Sequence, residues 1–183
     1  MLEVTRELAR FVSDLEFEDI PPEVIGRAKT LMHDFVGIGI RARHEADSTL
    51  AMMRATEILG ADGGTCGVFG DSRWFSPAAA ALMNGALGHS LDFDDTHAEA
   101  SLHPSAVVIP AALAAAQLPG ASGKDVITSI VAGYEVVCRL GQALGPDDHY
   151  ERGYHPTATC GAFGAAVAAS KVMGLSTEEI ESA

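Results

Sequence analysis

Apolar positions recur at the spacing of an α-helix along most of this 183-residue chain. Near the start, Val4, Leu8, Phe11, Val12 and Leu15 follow one another at three- and four-residue steps and share one helix face. The same periodicity predicts further helices over residues 22–43, 48–59, 77–89, 104–118, 122–144 and 156–173. The pattern therefore predicts an all-α fold.

Local start signals agree with these helices. Proline stands at or beside the predicted first residue of several of them, where its missing N–H is no loss. Ser122 with Asp125, and Ser176 with Glu179, have the spacing of a capping box. The helix that starts after Ser176 has only seven residues before the sequence ends, and its Ile180 has no evident partner. We therefore expect residues 1–183 to be one helical domain that is incomplete.

Three segments interrupt the helical periodicity. Residues 61–75 contain several glycines, and Thr65 to Phe69 fits a short strand or one arm of a hairpin. Residues 90–103 and 145–155 are polar and without clear period, which predicts two ordered loops. The longest nearly apolar run, residues 105–118, is too short to span a membrane and indicates a buried helix with a kink at Pro110.

Composition narrows the function classes. The net charge of −13 opposes binding to nucleic acid or to an anionic membrane surface, since both need clustered Lys and Arg. Three cysteines without CxxC spacing, and an N-terminus without a basic and then an apolar region, predict a cytoplasmic protein without disulfides or a signal peptide. Glycine accounts for 19 residues and aromatics for only 6%, which predicts a core of small side chains in close backbone contact.

The densest polar cluster lies in residues 89–103, within a largely apolar stretch. It holds three imidazoles and three of the carboxylates, as His89, Asp92, Asp94, Asp95, His97 and His103. The simplest interpretation is a solvated loop that caps neighbouring helices. Histidine and aspartate together are also the usual material of proton transfer, and loops held by rigid helices often form sites. A further histidine, His155, directly precedes a predicted helix N-terminus.

Two metal hypotheses compete with acid–base chemistry. Residues 94–99, DDTHAE, resemble the acidic Mg²⁺ motif of helical isoprenoid synthases, but the segment lacks helical period and no second motif follows. His89, Asp92, His97 and His103 offer ligands for a transition metal, although their spacing matches no tight pattern such as HExxH.

Four segments in order resemble the MmgE/PrpD family. They are LARFVSDLEFEDIPPEVIGRAKTLMHDFVG, ALMNGALGHSLDFDDTH, HPSAVVIPAALA and YHPTATCGAFGAAVAASKVMGLS. The similarity covers nearly the whole chain. Activities in this family include 2-methylcitrate dehydration, cis-aconitate decarboxylation and iminodisuccinate epimerisation. The resemblance implies the N-terminal part of a large helical domain, with the α+β lid domain absent, no metal or other cofactor, and a homodimer.

The resemblance also implies roles for individual residues. Asp92, His103 and His155 match motif positions expected to be catalytic, and Thr96 and Asp95 match positions expected to bind substrate. We expect Asp92, Thr96, His103 and His155 to converge on one cleft.

The implied function is a lyase or isomerase, 2-methylcitrate dehydratase-like, that acts on a small di- or tricarboxylate. Such a substrate needs fixed positive charge, and no Lys or Arg lies between Arg73 and Lys124. We therefore expect this chain alone to lack part of the site and to be inactive. Two alternatives stay open: one chain of a split enzyme completed by a C-terminal chain, or a non-catalytic helical oligomer. A stripe of small residues, Gly161, Ala165 and Ala169, would pack either inside the chain or against a second copy.

Overall fold

A computed structural model describes residues 2–118 and 120–183, which form mainly α-helix. The helices are α1 Leu2–Asp14, α2 Pro22–Glu45, α3 Ser48–Ile58, α4 Pro77–His89, α5 Ser105–Ala116, α6 Gly123–Leu144, α7 Pro146–Glu151, α8 Pro156–Val172 and α9 Thr177–Ser182. Two strands, β1 Asp62–Gly67 and β2 Trp74–Phe75, pair as an antiparallel hairpin. The all-α prediction with one hairpin in residues 61–75 is confirmed.

The helix caps form as the sequence predicts, and one helix was missed. Ser122 and Asp125 make a reciprocal capping box at α6, and Ser176 and Glu179 make one at α9. The predicted loop over residues 145–155 contains the short helix α7, which starts at Pro146 and has Asp147 and Asp148 in its first turn. Proline and acidic residues favour a helix N-terminus, and this local signal was outweighed in the sequence by the lack of apolar period.

Helix α5 lies at the centre of the fold and packs against α4, α6 and α8. Its Val108, Ile109 and Ala112 have no exposed surface. The helix is apolar on all sides, as expected for one that is surrounded by other helices. Because α5 begins directly after the polar segment 90–103, the buried first turn of α5 holds the end of that segment in place.

Glycines let α6 and α8 approach closely. A Cβ atom on Gly133 of α6 would lie 3.0 Å from the Gly164 carbonyl oxygen of α8, and one on Gly164 would lie 2.8 Å from Val137 Cβ of α6. The prediction of a core with close backbone contacts therefore holds in this helix pair.

The small-residue stripe packs within the chain at two of its three positions. A Cβ on Gly161 would meet Val107 of α5 at 2.8 Å. Ala169 packs against the buried cluster of Ala115, Ala116 and Val172. Of the two arrangements left open by the sequence, the structure shows the intramolecular one for Gly161 and Ala169.

The hairpin is fastened to α4. Asn84 accepts a hydrogen bond from the Phe69 N–H at 2.8 Å and donates one to the Gly67 carbonyl at 3.0 Å. Cys66, Phe75 and Met83 pack in one buried cluster beneath it. This contact holds α4 in place, and α4 ends at His89.

The expectation that Ile180 has no partner is wrong. Ile180 is buried in a cluster with Ala9, Val12, Ala132 and Val136, so α9 packs against α1 and α6. The Ser13 and Thr177 hydroxyls lie 2.8 Å apart across this contact. The partner was hidden from sequence reasoning because α1 and α9 stand at opposite ends of the sequence.

Within residues 2–118 and 120–183, no helix combines the length and apolar character that crossing a bilayer requires.

Candidate active site

The segment that joins α4 to α5 carries a left-handed backbone at two residues that are not glycine. Asp92 has φ of 57° and Ser101 has φ of 49°. The Asp92 N–H donates to the His89 carbonyl at 3.1 Å, which closes a tight turn at the end of α4. Such conformations are disfavoured for residues with a side chain, and they concentrate at functional sites.

Asp94 is the buried carboxylate of this segment. Its side chain has no exposed surface, and its two oxygens lie 3.1 and 3.0 Å from His89 Nδ1. One of these oxygens also lies 3.7 Å from Nδ1 of His103. Asp94 therefore stands between two imidazole rings, whose centroids are 5.0 Å apart.

His103 is tied to α8 and to Thr96. Its backbone N–H donates to the hydroxyl of Thr157 at 3.0 Å, and Thr157 is buried in the first turn of α8. Its Nδ1 lies 3.5 Å from the Thr96 hydroxyl. The bond to Thr157 joins two segments that are 54 residues apart in sequence.

His155 enters the same cluster from the start of α8. Its ring stacks beside that of His89 with centroids 6.4 Å apart, and its Nδ1 lies 2.8 Å from the Tyr150 hydroxyl. Tyr150 also contacts the Ser101 carbonyl at 3.2 Å, which connects α7 to the polar segment. Desolvation, and then the nearby imidazoles of His89 and His103, lower the pKa of His155. The neutral form of this ring is therefore favoured.

Asp95 faces a different direction from Asp94. Its Oδ1 accepts the Ser105 N–H at 3.0 Å, and its Oδ2 accepts the Tyr134 hydroxyl at 2.9 Å. The Ser105 and Tyr134 hydroxyls are themselves 2.6 Å apart. Burial, and then the Asp95 charge, raise the pKa of Tyr134 and that of Cys138, the latter to about 12. Asp95 thus fastens the polar segment to α5 and α6.

The structure brings together four of the five residues singled out from sequence. Asp92, Thr96, His103 and His155 lie in one cluster, whereas both oxygens of Asp95 are bonded away from it. The chemical roles of all five stay predictions. Sequence reasoning gave His89 and Asp94 a role only in the alternative metal hypotheses, and it gave Tyr150 none. The signal for the first two was present, since both belong to the polar motif, but nothing in the sequence indicates Tyr150.

An apolar groove of about 480 Å³ leads away from the cluster between α4, α5 and α8. Alanine, glycine, valine and proline residues line most of the groove. Its polar lining residues are His89, His155 and Thr157. The groove is large enough for a small organic molecule.

The cluster has the ligand types of a metal site. One potential ligand atom from each of His89, Asp92, Asp94 and His103 lies within 4.8 Å of the others. Two imidazoles and two carboxylates suit a divalent transition metal. The sequence predicted His97 as a ligand in this set, and the structure has Asp94 in its place. The Nδ1 of His97 instead accepts a hydrogen bond from the Ala100 N–H at 3.2 Å.

Positive charge is scarce at the site. Among the described residues, no Lys or Arg forms a salt bridge with Asp92, Asp94 or Asp95. The ionisable side chains that contact Asp94 are those of His89 and His103. A polyanionic substrate would therefore meet carboxylates here without a compensating cation.

Imidazoles and carboxylates that face one another beside a groove, on a helical scaffold, are an arrangement typical of acid–base sites. The comparison with known families is specific: the MmgE/PrpD N-terminal domain matches residues 6–183. The chain belongs to the MmgE/PrpD family.

Curated relatives share one described activity. A cis-aconitate decarboxylase-like protein of Aspergillus oryzae is 36% identical over 98% of this chain and 38% of its own length. Cis-aconitate decarboxylase of Aspergillus terreus is 34% identical over 98% of this chain and 37% of its length. Cis-aconitate decarboxylase of Homo sapiens is 30% identical over 98% of this chain and 38% of its own length. The chain therefore spans less than two fifths of the length of these relatives.

Proposed function

We propose that this chain is the N-terminal part of a lyase that removes a group from a small polycarboxylate by acid–base chemistry. The observation that carries the proposal is the convergence of Asp94, His89, His103 and Thr96 with His155 beside one groove. The curated relatives favour decarboxylation of a cis-aconitate-like substrate over the dehydration expected from sequence.

In this proposal His103 transfers the proton. When a carbon–carbon bond to a carboxylate breaks, CO₂ leaves and the electron pair stays on the substrate, which then takes up one proton on carbon. An imidazolium donates that proton, and the ring is recharged from solvent. Thr96 bonds a substrate carboxylate through its hydroxyl. His155, whose neutral form is favoured, orients the substrate by a hydrogen bond rather than by charge.

The substrate's charge requires cations from elsewhere. Each close, exposed pair of like charges costs about 1 kcal/mol, and Asp92 lies at the site. We propose that the remaining part of a full-length family enzyme, or a separate complementary chain, supplies the cations and a cover that excludes water. The chain alone is then expected to show no turnover, because oriented donors lose much of their effect in a flooded site.

The direct test is an assay of the purified chain, alone and with a complementary chain, on cis-aconitate, methylcitrate and iminodisuccinate. We expect activity only in the mixture and greatest on cis-aconitate. His103→Ala must abolish the signal, which also excludes a contaminating host enzyme. His33→Ala is the matched control, since His33 is exposed on α2.

Two results would contradict the proposal. Turnover near 10 s⁻¹, roughly the enzyme median, by the chain alone would show that no cations are missing. Full activity of His103→Ala in the mixture would remove His103 from the mechanism. Lack of activity in every mixture would favour the non-catalytic helical oligomer.

Metal-dependent chemistry is the second candidate, because four potential ligand atoms lie within 4.8 Å of one another. Calorimetric titration with Zn²⁺ and Mn²⁺ tests it. Under the metal hypothesis, binding is tight, His89→Ala weakens it, and chelation abolishes activity in the complemented mixture. Under the acid–base hypothesis, activity survives chelation.

A further inference from the structure

We propose that Asp94 is a positioning residue whose buried carboxylate faces Nδ1 of both His89 and His103. We also propose that His89 is a second imidazole that transfers protons at this site, beside His103. The catalytic consequence of this inference rests on the proposed acid–base function. The arrangement of the two rings does not, because it follows from the geometry of the free protein.

The burial of Asp94 is the first step of the argument. An ionised carboxylate without exposed surface needs hydrogen-bond or charge partners. In the described part of the chain, the side-chain oxygens of Asp94 have only two such partners, His89 Nδ1 at 3.0 and 3.1 Å and His103 Nδ1 at 3.7 Å. The two rings are therefore the reason that this carboxylate can be buried, and the carboxylate fixes the rings in return.

The second step concerns the protons. An ionised carboxylate only accepts hydrogen bonds, so the nitrogen that faces it must carry hydrogen. Neutral His89 then has its proton on Nδ1 and a free electron pair on Nε2. Among the hydrogen bonds of the described residues, Nε2 of His89 and of His103 have no partner. Those atoms remain available to accept a proton from, or return it to, a bound substrate.

The third step places His89 in the working part of the site. Its ring lies between the other two, 5.0 Å from the ring of His103 and 6.4 Å from that of His155. It also borders the apolar groove, as His155 does. His89 thus lies where a molecule in the groove would meet the imidazole cluster.

A purely structural role for Asp94 makes a different prediction from a positioning role. If Asp94 were purely structural, its replacement would change stability and leave the tautomers of the two rings and kcat unaltered. A positioning carboxylate sets which nitrogen of each ring carries hydrogen. The tautomers of His89 and His103 are therefore the quantity to measure, and stability alone is not.

The experiment is long-range ¹H–¹⁵N NMR on the 183-residue chain labelled at histidine nitrogens. It is recorded at about pH 8.5, above the ordinary titration range of imidazole. Seven single His→Gln variants assign the signals. In the unaltered chain we expect the Nδ1–H tautomer to dominate at His89 and His103. This measurement does not depend on the folding of any Asp94 variant.

The variant Asp94→Asn then tests whether the Asp94 carboxylate causes the Nδ1–H tautomers of the two rings. An amide replaces one carboxylate oxygen with an NH₂ group that can only donate, so a ring whose Nδ1 faces that NH₂ is favoured in the form with Nδ1 unprotonated. We expect at least one of the two rings to change to the Nε2–H tautomer. Asp94→Glu keeps the charge and should retain the original tautomer in part. Glu99→Gln, an exposed carboxylate in the same segment, is the control and should change neither ring.

The inference is overturned if neutral His89 in the unaltered chain is mainly Nε2–H, or if a folded Asp94→Asn variant changes neither ring. In the complemented mixture, Asp94→Asn should lower kcat about 100-fold with KM nearly constant, and Asp94→Glu should recover part of the loss. An unchanged kcat would remove Asp94 from catalysis. If the mixture has no activity at all, the proposed function fails, and the tautomers still decide the role of Asp94.

Discussion

Asp95 and Tyr134 form a partly buried hydrogen bond that holds the polar segment against helix α6. Asp95 was expected to bind substrate, whereas its two oxygens accept bonds from Ser105 and Tyr134. We propose that its main role is to anchor. Tyr134→Phe would then leave one Asp95 oxygen without its partner and lower the free energy of unfolding by about 1–3 kcal/mol.

A double-mutant cycle separates anchoring from substrate binding. If Asp95 and Tyr134 act on each other, Asp95→Ala with Tyr134→Phe should destabilise by less than the sum of the single changes, by about 0.5 kcal/mol or more. Urea unfolding of the four proteins measures this. Additive effects of the two changes would contradict the proposal that Asp95 anchors the polar segment through Tyr134. An Asp95→Ala variant of unchanged stability would contradict it as well.

Asp71 provides a pH-dependent contribution at the turn of the hairpin. Its side chain is only 5% exposed and lies 3.0 Å from Arg73 and 3.3 Å from Arg43. Hydrogen bonds from Arg73, and to a smaller extent from Arg43, lower the pKa of Asp71 from 3.8 to about 2 against the opposing effect of burial. A lowering of this size corresponds to ~2 kcal/mol of stability in the ionised form.

The sign of the pH effect follows from that lowered pKa. The stabilisation is fully present above the ordinary pKa of 3.8 and is lost as pH falls through about 2. Asp71→Asn should therefore unfold more easily at pH 7 by about 2 kcal/mol, and the gap to the unaltered chain should close between pH 4 and pH 2. Glu57→Gln, which breaks the exposed pair with Arg73, should cost under ~1 kcal/mol. A pH-independent gap at Asp71 would refute this account.

At the scale of elements, α2 and α4 meet at a position where only glycine fits. A Cβ atom on Gly88 would overlap with the ring of Phe35, which is 1% exposed. Gly88→Ala should therefore push α2 and α4 apart and cost about 1–3 kcal/mol in thermal or urea unfolding. Because Gly88 precedes His89, the change should also alter the tautomer signals of His89.

Gly26→Ala is the matched control for this prediction. Gly26 lies within α2, and a Cβ atom there would have nothing within 4 Å. Alanine in an open helix position is expected to stabilise by roughly 0.5–1 kcal/mol, because glycine loses more backbone entropy on folding. If Gly88→Ala lowers the free energy of unfolding and Gly26→Ala raises it, then the lack of space beside Gly88, and not helix propensity, causes the loss of stability at Gly88.

At the scale of the whole molecule, several large apolar side chains are exposed. Leu82 on α4 is 61% exposed and borders the apolar groove. Exposed apolar patches of this kind usually mark an interaction surface. We propose that the chain forms a homodimer through the α4–α5–α8 face.

Light scattering at about 10 µM tests the dimer. We expect a dimer in the unaltered chain, and a monomer for Leu82→Ser. Leu50→Ser, at an even more exposed position on α3, should leave the dimer intact. Added salt should strengthen association, because two copies with a net charge of −13 repel each other and salt screens that repulsion. A monodisperse monomer of the unaltered chain at high salt would contradict the proposal.

The sequence by itself determined the local features. Helix spacing, prolines at first turns and the two capping boxes predicted most elements, since each of these signals acts within four residues along the chain. The motif residues also predicted that segment 90–103 carries the chemistry. What these signals could not supply was the environment of each side chain, because adjacent aspartates look equivalent in sequence.

Tertiary packing decided that Asp94 turns towards His89 and His103 while Asp95 turns towards Tyr134 of α6. It likewise gave Ile180 its partners on α1 and brought the Tyr150 hydroxyl to the Ser101 carbonyl, 49 residues away in sequence. These outcomes depend on how whole helices pack and on the left-handed turn at Asp92. A contact between residues dozens of positions apart forms only when the intervening helices fix its geometry, and no local pattern encodes that.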